Sequence, residues 1–346
     1  MSGSIEIKEN VRLAPLTTLQ VGGNARYFVT AETEDAVIEA LAFAEDKGLP
    51  VFILGGGSNV LISDTGFDGL VINIALTGVS EFAEKDGTRY VTAQAGEDWD
   101  GFVAHCVEND LAGVECLSGI PGFVGGTPVQ NVGAYGQEVA ETIVSVRYYD
   151  RQQKELVTLT NADCYFSYRK SIFNSTHRDR YVVLSVTFAL RKGGEPKVVY
   201  KDLIEHFAER KPSLVEVREA VLNIRRSKSM VIDAGDPNSR SAGSFFKNPI
   251  VSRDKLGELQ AEMGNIPNFP FGDAVKIPAA WLIERSGLNK GFALGNAGIS
   301  SNHTLAIINR GGASAGDILL LKEEIQRTVA DKFGITLDPE PVFVGF

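Results

Sequence analysis

The run Leu117–Glu138 reads LSGIPGFVGGTPVQNVGAYGQE, and it narrows the choice of fold more than any other part of the chain. Glycines at Gly119, Gly122, Gly125, Gly126, Gly133 and Gly136 keep it out of a regular helix or strand interior. It is nearly free of charge, and Ile120, Phe123, Val124, Val129 and Val132 call for burial, so it is no solvated linker. Buried irregular backbone needs partners for its N–H and C=O groups. A large bound ligand carrying phosphates and a polar ring is one economical partner.

A second glycine cluster lies upstream. Val51-Phe52-Ile53-Leu54 follows Pro50 and reads as a short buried strand, and Gly55-Gly56-Gly57-Ser58-Asn59 comes directly after it. Such a turn can take φ > 0, admit a ligand close to the backbone and point successive N–H groups into one anion-binding concavity. Ser58 and Asn59 add side-chain donors at its rim. Three glycines standing alone are as a rule an ordinary tight turn. Two cradles in one chain point instead to a dinucleotide. Neither has the Rossmann spacing, and the Walker A lysine is missing. A dinucleotide bound outside those two folds suggests the two-subdomain flavin-binding architecture.

At 346 residues the chain has room for about two domains, each with its own core. The expected division is 1–75 and 76–230 as two cofactor-binding subdomains, with 335–346 returning to the first, and 231–334 as a substrate-binding domain. A net charge of −10 argues against nucleic acid, whose phosphates need a basic face. An acidic chain that binds an anion must gather its cations locally. The opening MSGSIEIKEN shows no apolar leader, and no apolar run approaches membrane-spanning length. Cys106, Cys116 and Cys164 lack C-x-x-C spacing and read as reduced thiols, and the four histidines show no metal-ligand spacing. A cytoplasmic monomer without a metal is expected.

Helix signals are strong at three places. Thr33 caps a helix with Val37, Ala40, Leu41 and Ala44 on one face; Ser213-x-x-Glu216 opens a second; Ser314 opens a third with a stripe of Ile318, Leu321, Ile325 and Val329. A further helix is expected from Asp98, and period-2 strands at 143–149 and 181–190. Tyr200-Lys201-Asp202-Leu203 reads as a mobile connection.

Three places combine reactive side chains with unusual backbone. The guanidinium of Tyr168-Arg169 suits a carboxylate or phosphate, although an arginine lying over a surface tyrosine is the commoner case. In Ser241–Pro249, SAGSFFKNP, Ser244 sits where small residues give way to two aromatics. A hydroxyl there could exchange a proton in a dry pocket, or simply make a turn or helix cap. Glu340 stands between Pro339 and Pro341, held by stiff backbone or exposed in an extended tail. Nothing in their spacing shows that the three meet.

At these residues a family resemblance becomes specific. The segments LTTLQVGGNARYF, LGGGSNVLISD, GIPGFVGGTPVQNVGAYG, SYRKSIF, GSFFKNP, AAWLIE, SNHTLAIIN and LDPE occur in order along essentially the entire chain. Together they resemble the UDP-N-acetylenolpyruvoylglucosamine reductase (MurB) family, in the branch that retains a mobile tyrosine loop. The resemblance implies an α+β chain: a two-subdomain FAD-binding fold of the vanillyl-alcohol oxidase/PCMH type plus a smaller α+β substrate-binding domain. It implies non-covalent FAD held by Gly55, Gly56, Gly57, Ser58, Asn59, Ser118, Gly119, Ile120, Pro121, Gly122, Gly125, Asn131, Gly133, Ala134 and Tyr135.

It further implies NADPH as electron donor and the enolpyruvyl ether of UDP-N-acetylglucosamine as acceptor. The implied catalytic residues are Arg169, Ser244 and Glu340, and the implied substrate residues Tyr168, Tyr200, Lys228 and Asn248. Hydride addition to the terminal enolpyruvyl carbon places charge on the adjacent carbon and its carboxylate. Arg169 and Glu340 would stabilise that charge, and Ser244 would supply a proton. Two departures stand out. Phe269 replaces a tyrosine that in some relatives touches the diphosphate, and the 231–240 loop is longer than in close relatives. An oxidase or dehydrogenase of the same architecture, or a silent nucleotide-binding protein, are the rival readings.

Overall fold

The computed structural model describes residues 5–208 and 210–346, and the side chains of all of these except 82–85. Met1–Ser4, part of the stretch read for a leader, lie outside the described residues. The chain divides into two compact units, Met1–Val11 with Ala25–Gly57 and Phe67–Val231, and Arg12–Asn24 with Ser58–Gly66 and Ile232–Phe346.

In the first unit, helix α1 (Glu34–Asp46) begins where the Thr33 hydroxyl accepts from the Ala36 N–H at 3.1 Å. Its apolar face, Val37, Ala40, Leu41 and Ala44, is buried as its periodicity requires. Beside it the strands Asn24–Ala31, Phe67–Ile74 and Val51–Leu54 run parallel. A second, antiparallel sheet has the order Glu155–Thr160, Ile143–Asp150, Tyr181–Lys192, Thr88–Gln94, Val79–Lys85. Helix α2 (Trp99–Glu108), capped by Asp98, buries Trp99 and Phe102 on it, and the Phe102 and Phe188 rings lie 4.9 Å apart. Each such large side chain contributes about 1.5–3 kcal/mol on burial.

The segment after Tyr200 departs from the sequence reading. It is not an irregular connection but helix α3 (Lys201–Phe207), which buries Leu203 and Phe207 four residues apart. They pack on Val217, Ala220 and Val221 of helix α4 (Leu214–Ser227). That anchored face is what makes a short, weakly capped helix persist. The Ser213/Glu216 capping box of α4 is formed in both directions.

In the second unit the strands Ser241–Ser244, Ala306–Asn309, Ala297–Ile299 and Ala293–Leu294 form an antiparallel sheet. A smaller sheet joins Ile250–Ser252, Ala274–Lys276 and Phe269–Phe271. Phe269 is 54% exposed on its edge. Helices α5 (Arg253–Met263), α6 (Ala279–Arg285) and α7 (Ala315–Phe333) complete the unit. The α7 stripe of Ile318, Leu321, Ile325 and Val329 is buried. Its N-terminus gains an anchor the sequence did not suggest: the Asp64 carboxylate accepts from the Ala315 and Gly316 N–H groups at 2.7 and 3.0 Å. The chain end, Val342–Val344, pairs in parallel with Val60–Ile62.

Candidate active site

The first cradle is the turn Gly55–Gly57 that closes the strand Val51–Leu54, with Gly57 at φ +64. A Cβ at Gly56 would lie 2.7 Å from Gly122 Cα and 3.2 Å from the Gly122 carbonyl carbon. The two glycine segments therefore touch backbone to backbone, an approach that their separation in sequence does not reveal. Residues with no side chain are needed there because neither partner atom can swing aside.

Helix α2 organises the second cradle. The Gly119 N–H donates to the Asp100 carboxylate at 2.6 Å, the Trp99 N–H to the Gly122 carbonyl at 3.0 Å and the Trp99 indole N–H to the Leu117 carbonyl at 3.0 Å. Ser118 is fully buried and donates to the Glu115 carbonyl at 2.7 Å. Val124 and Gly125 donate to the carbonyls of Glu97 and Ala95. Much of the backbone accounting that called for a ligand is thus met by the protein itself. Of the apolar residues expected to be buried, Val124 is, whereas Ile120, Phe123, Val129 and Val132 are half-buried.

Asn131, in the left-handed region at φ +45, is buried and spans the base of the cradle. Its amide donates to Glu138 at 2.8 Å and to the Ser167 carbonyl at 3.1 Å, and its carbonyl accepts from the Ala140 N–H. Its side chain shapes the loop. Gly133-Ala134 pairs with Gln137-Glu138, and Tyr135 and Gly136, at φ +49 and +82, form the two-residue turn between them. Positive φ at both central positions is the type I′ hairpin geometry, which tyrosine rarely adopts.

Arg169 reaches this hairpin. Its guanidinium donates from Nη2 to the Gly133 carbonyl at 2.8 Å and lies 5.3 Å from the Tyr168 ring centroid. A Cβ at Gly133 would come within 3.3 Å of Arg169 Nη1. Arg169 itself is at φ +54, in a tight turn closed by two hydrogen bonds between Ser167 and Lys170. A left-handed non-glycine residue costs about 1–3 kcal/mol, a strain that clusters at functional sites.

Beyond the hairpin, the Tyr200 ring stands edge-on to Tyr135 at 5.3 Å, and Lys228 Nζ lies 6.0 Å from the Tyr135 ring centroid. Lys228 pairs with Asp202 at 3.0 Å. Burial pulls the Lys228 ammonium down, yet its bond to Asp202 and the nearby Tyr135 outweigh it and hold it above the usual lysine range. Burial raises the Tyr135 phenol against the pull of Arg225 and Lys228.

Arg225 escaped the sequence reading. It is 6% exposed, donates to the Met230 carbonyl at 2.7 Å, and among the described residues no acceptor reaches its Nε. Burial pushes its guanidinium below the usual arginine range, opposed by Tyr135 and Asp100. The signal was its phase: Val217, Val221 and Arg225 are successive i, i+4 positions on the buried face of α4. A buried, incompletely bonded cation beside Gly119 suits an anionic ligand in the cradle.

In the second unit the structure brings two of the three reactive places together. Ser244 ends its strand opposite Ala306, after a register shift at which Gly243 takes φ +72. Phe245 and Phe246 plunge into the core behind it. The Glu340 N–H donates to the Phe245 carbonyl at 2.9 Å, the Lys247 N–H to the Asp338 carbonyl at 2.9 Å, and Phe246 bridges to Pro339. On its other side the Asn59 amide donates to the Glu340 carbonyl at 3.4 Å, and the Val342 N–H to the Asn59 carbonyl at 2.9 Å. The Glu340 backbone is thus held between Phe245 and Asn59, so the main chain at Ser244, Glu340 and Asn59 shares one neighbourhood. Asn248 accepts from the Ala279 N–H at 2.9 Å and so anchors the start of α6.

The comparisons bear directly on this arrangement. The family model described as the C-terminal domain of UDP-N-acetylenolpyruvoylglucosamine reductase matches residues 236–344. An FAD binding domain model matches residues 25–160. The UDP-N-acetylenolpyruvoylglucosamine reductase of Thermobifida fusca (strain YX) is 45% identical over 348 residues, covering 97% of this chain and 97% of that one. The chain belongs to the UDP-N-acetylenolpyruvoylglucosamine reductase family. A reductase of Streptomyces avermitilis is 47% identical over 347 residues, covering 96% and 93% of the two chains. The solved UDP-N-acetylenolpyruvylglucosamine reductase (MurB) of Thermus caldophilus matches with a TM-score of 0.66 at 26% identity, covering 98% of each chain. The fold is thus α+β with an FAD-binding domain, as the resemblance implied.

Proposed function

We propose that the chain is an NADPH-dependent flavoenzyme that reduces the enolpyruvyl ether of UDP-N-acetylglucosamine enolpyruvate to UDP-N-acetylmuramate. This reading rests on family membership and is supported by the backbone hydrogen bond between Glu340 and Phe245, the residue that follows Ser244. The cradle fits a dinucleotide. Gly56 and Gly122 leave room for close backbone approach, and Arg225 supplies buried positive charge. Gly55–Asn59, Ser118–Gly122, Gly125 and Gly133–Tyr135 would hold FAD without a covalent bond, with Asn131 fixing the loop. Bound FAD supplies the hydride, taken from NADPH, that reduces the alkene.

The chain's own residues then manage charge and protons. Arg169, prepositioned by its left-handed turn and its bond to Gly133, would pair with the substrate carboxylate, and Glu340 would stabilise the enol-like charge. The Ser244 hydroxyl would deliver a proton to the carbon centre. Tyr168, Tyr200, Lys228 and Asn248 would bind substrate. We assign 1–75, with 335–346, and 76–230 to cofactor binding and 231–334 to substrate binding, in a cytoplasmic monomer.

Stopped-flow separation of the half-reactions tests the proposal. Ser244→Ala should be bleached by NADPH at the wild-type rate and reoxidised by the enolpyruvyl substrate about 10²-fold more slowly or worse, the scale of a positioned proton donor. Unchanged reoxidation removes Ser244 from the mechanism. Rapid reoxidation by oxygen but not by the enolpyruvyl substrate would favour an oxidase instead.

A further inference from the structure

Between Tyr135 and the helix pair α3/α4 lies an ion pair that no catalytic role requires. Asp202 is in the first turn of α3 and Lys228 caps the end of α4. Their side chains meet at 3.0 Å while each stays about a third exposed, at 36% and 35%. The surroundings are cationic and aromatic. Arg225 and Arg226 occupy the last turn of α4, Tyr135 lies beneath the lysine, and Tyr200 stands against Tyr135. Val199 packs so closely over the hairpin turn that a Cβ at Gly136 would lie 2.5 Å from it. The residues leading into α3 therefore rest on the GAYG turn, and the Asp202–Lys228 pair ties the start of α3 to the lysine.

We propose that Asp202 is an internal competitor anion. It occupies Lys228 until the diphosphate of a nucleotide sugar displaces it, and so sets the affinity of the site for that ligand. This rests on the preceding assignment of Lys228 to substrate binding. The physical case is one of exchange. A lone carboxylate offers the ammonium a single charge and one close oxygen, whereas a diphosphate offers several oxygens and more charge. A pair this exposed is held weakly enough to be broken. Helix α3 does not depend on it for docking, because Leu203 and Phe207 already bury the face that packs on α4.

Asp202→Asn keeps shape and removes the charge. The KM for the enolpyruvyl substrate and the inhibition constant for UDP should both fall about two- to fivefold, the range an exposed ion pair spans. Flavin bleaching by NADPH, kcat and the thermal midpoint should stay as in the wild type. In a Lys228→Met background, Asp202→Asn should change none of these constants, and with Lys228 present Asp202→Glu, which keeps the charge, should give wild-type values. Unchanged or raised constants for Asp202→Asn overturn the proposal. So does a fall in thermal midpoint with the variant, or an equal effect in the Lys228→Met background, either of which makes Asp202 a docking contact of α3. Turnover of the enolpyruvyl substrate by the wild type is read separately, and its absence refutes the underlying assignment instead.

Discussion

Replacing Gly56 by alanine tests the contact that makes two glycine loops into one cradle. Gly56 is not in the left-handed region, so the substitution carries no backbone strain of its own. The whole effect is steric. The new methyl would lie 2.7 Å from Gly122 Cα, 3.2 Å from its carbonyl carbon and 3.4 Å from Phe123 N. Favourable carbon contacts begin at about 3.5 Å. All three neighbours are backbone, so the loops must separate by roughly 1 Å rather than let a side chain rotate. Overpacking of this kind costs about 1–3 kcal/mol.

If that penalty falls on the loaded cradle, FAD binding weakens by about 5- to 150-fold. If it falls on the protein alone, the thermal midpoint of the flavin-free form drops. Fluorescence titration of flavin-free protein with FAD, beside a thermal melt of the same sample, reads both. Gly126→Ala is the control, because a Cβ there meets nothing within 4 Å. It should leave FAD affinity within about twofold of wild type. A Gly56→Ala protein with unchanged FAD affinity and unchanged midpoint would refute the close approach, and with it the cradle.

Asp100 connects pH to the same loop. Burial alone would raise its carboxyl, but the hydrogen bonds from Arg218 and the Gly119 amide and the charges of Arg218 and Arg225 hold it below the usual carboxylate range. A depressed carboxyl stabilises the fold above the unfolded value of about 3.9, and that contribution is lost as the pH falls through the folded value. Asp100→Asn should therefore lose less stability than wild type between about pH 5 and 3 in denaturant titrations, and equal losses would contradict the assignment. All three thiols are buried, and burial pushes Cys164 up to about 12 and Cys106 and Cys116 higher still. Native protein at pH 8 should resist iodoacetamide while unfolded protein is alkylated at all three positions, and fast alkylation of the native form would refute the burial.

Local rules carried much of the architecture. Thr33, Ser213 and Ser314 were readable as caps because each satisfies an orphan amide a few residues on, and the structure shows each bond or box. The α1 and α7 stripes were readable because burial follows helical period. What stayed hidden was non-local or conformational. No spacing rule links Glu340 to Phe245 or Asp64 to Ala315 across the sequence. Positive φ at Tyr135 and Arg169 is imposed by the turns around them rather than by residue type. Helix α3 was missed because its burial depends on α4, and Arg225 because a charged residue on an apolar face reads as a terminal cation until its phase is counted.

The proposed role of the paired glycine loops is to hold a flavin that passes hydride to an alkene. Its most direct test is the anaerobic visible spectrum of purified protein, followed through one cycle. A yellow flavin band should be present that NADPH bleaches and that stoichiometric UDP-N-acetylglucosamine enolpyruvate restores. Protein that is colourless, and stays so after incubation with FAD, would contradict it.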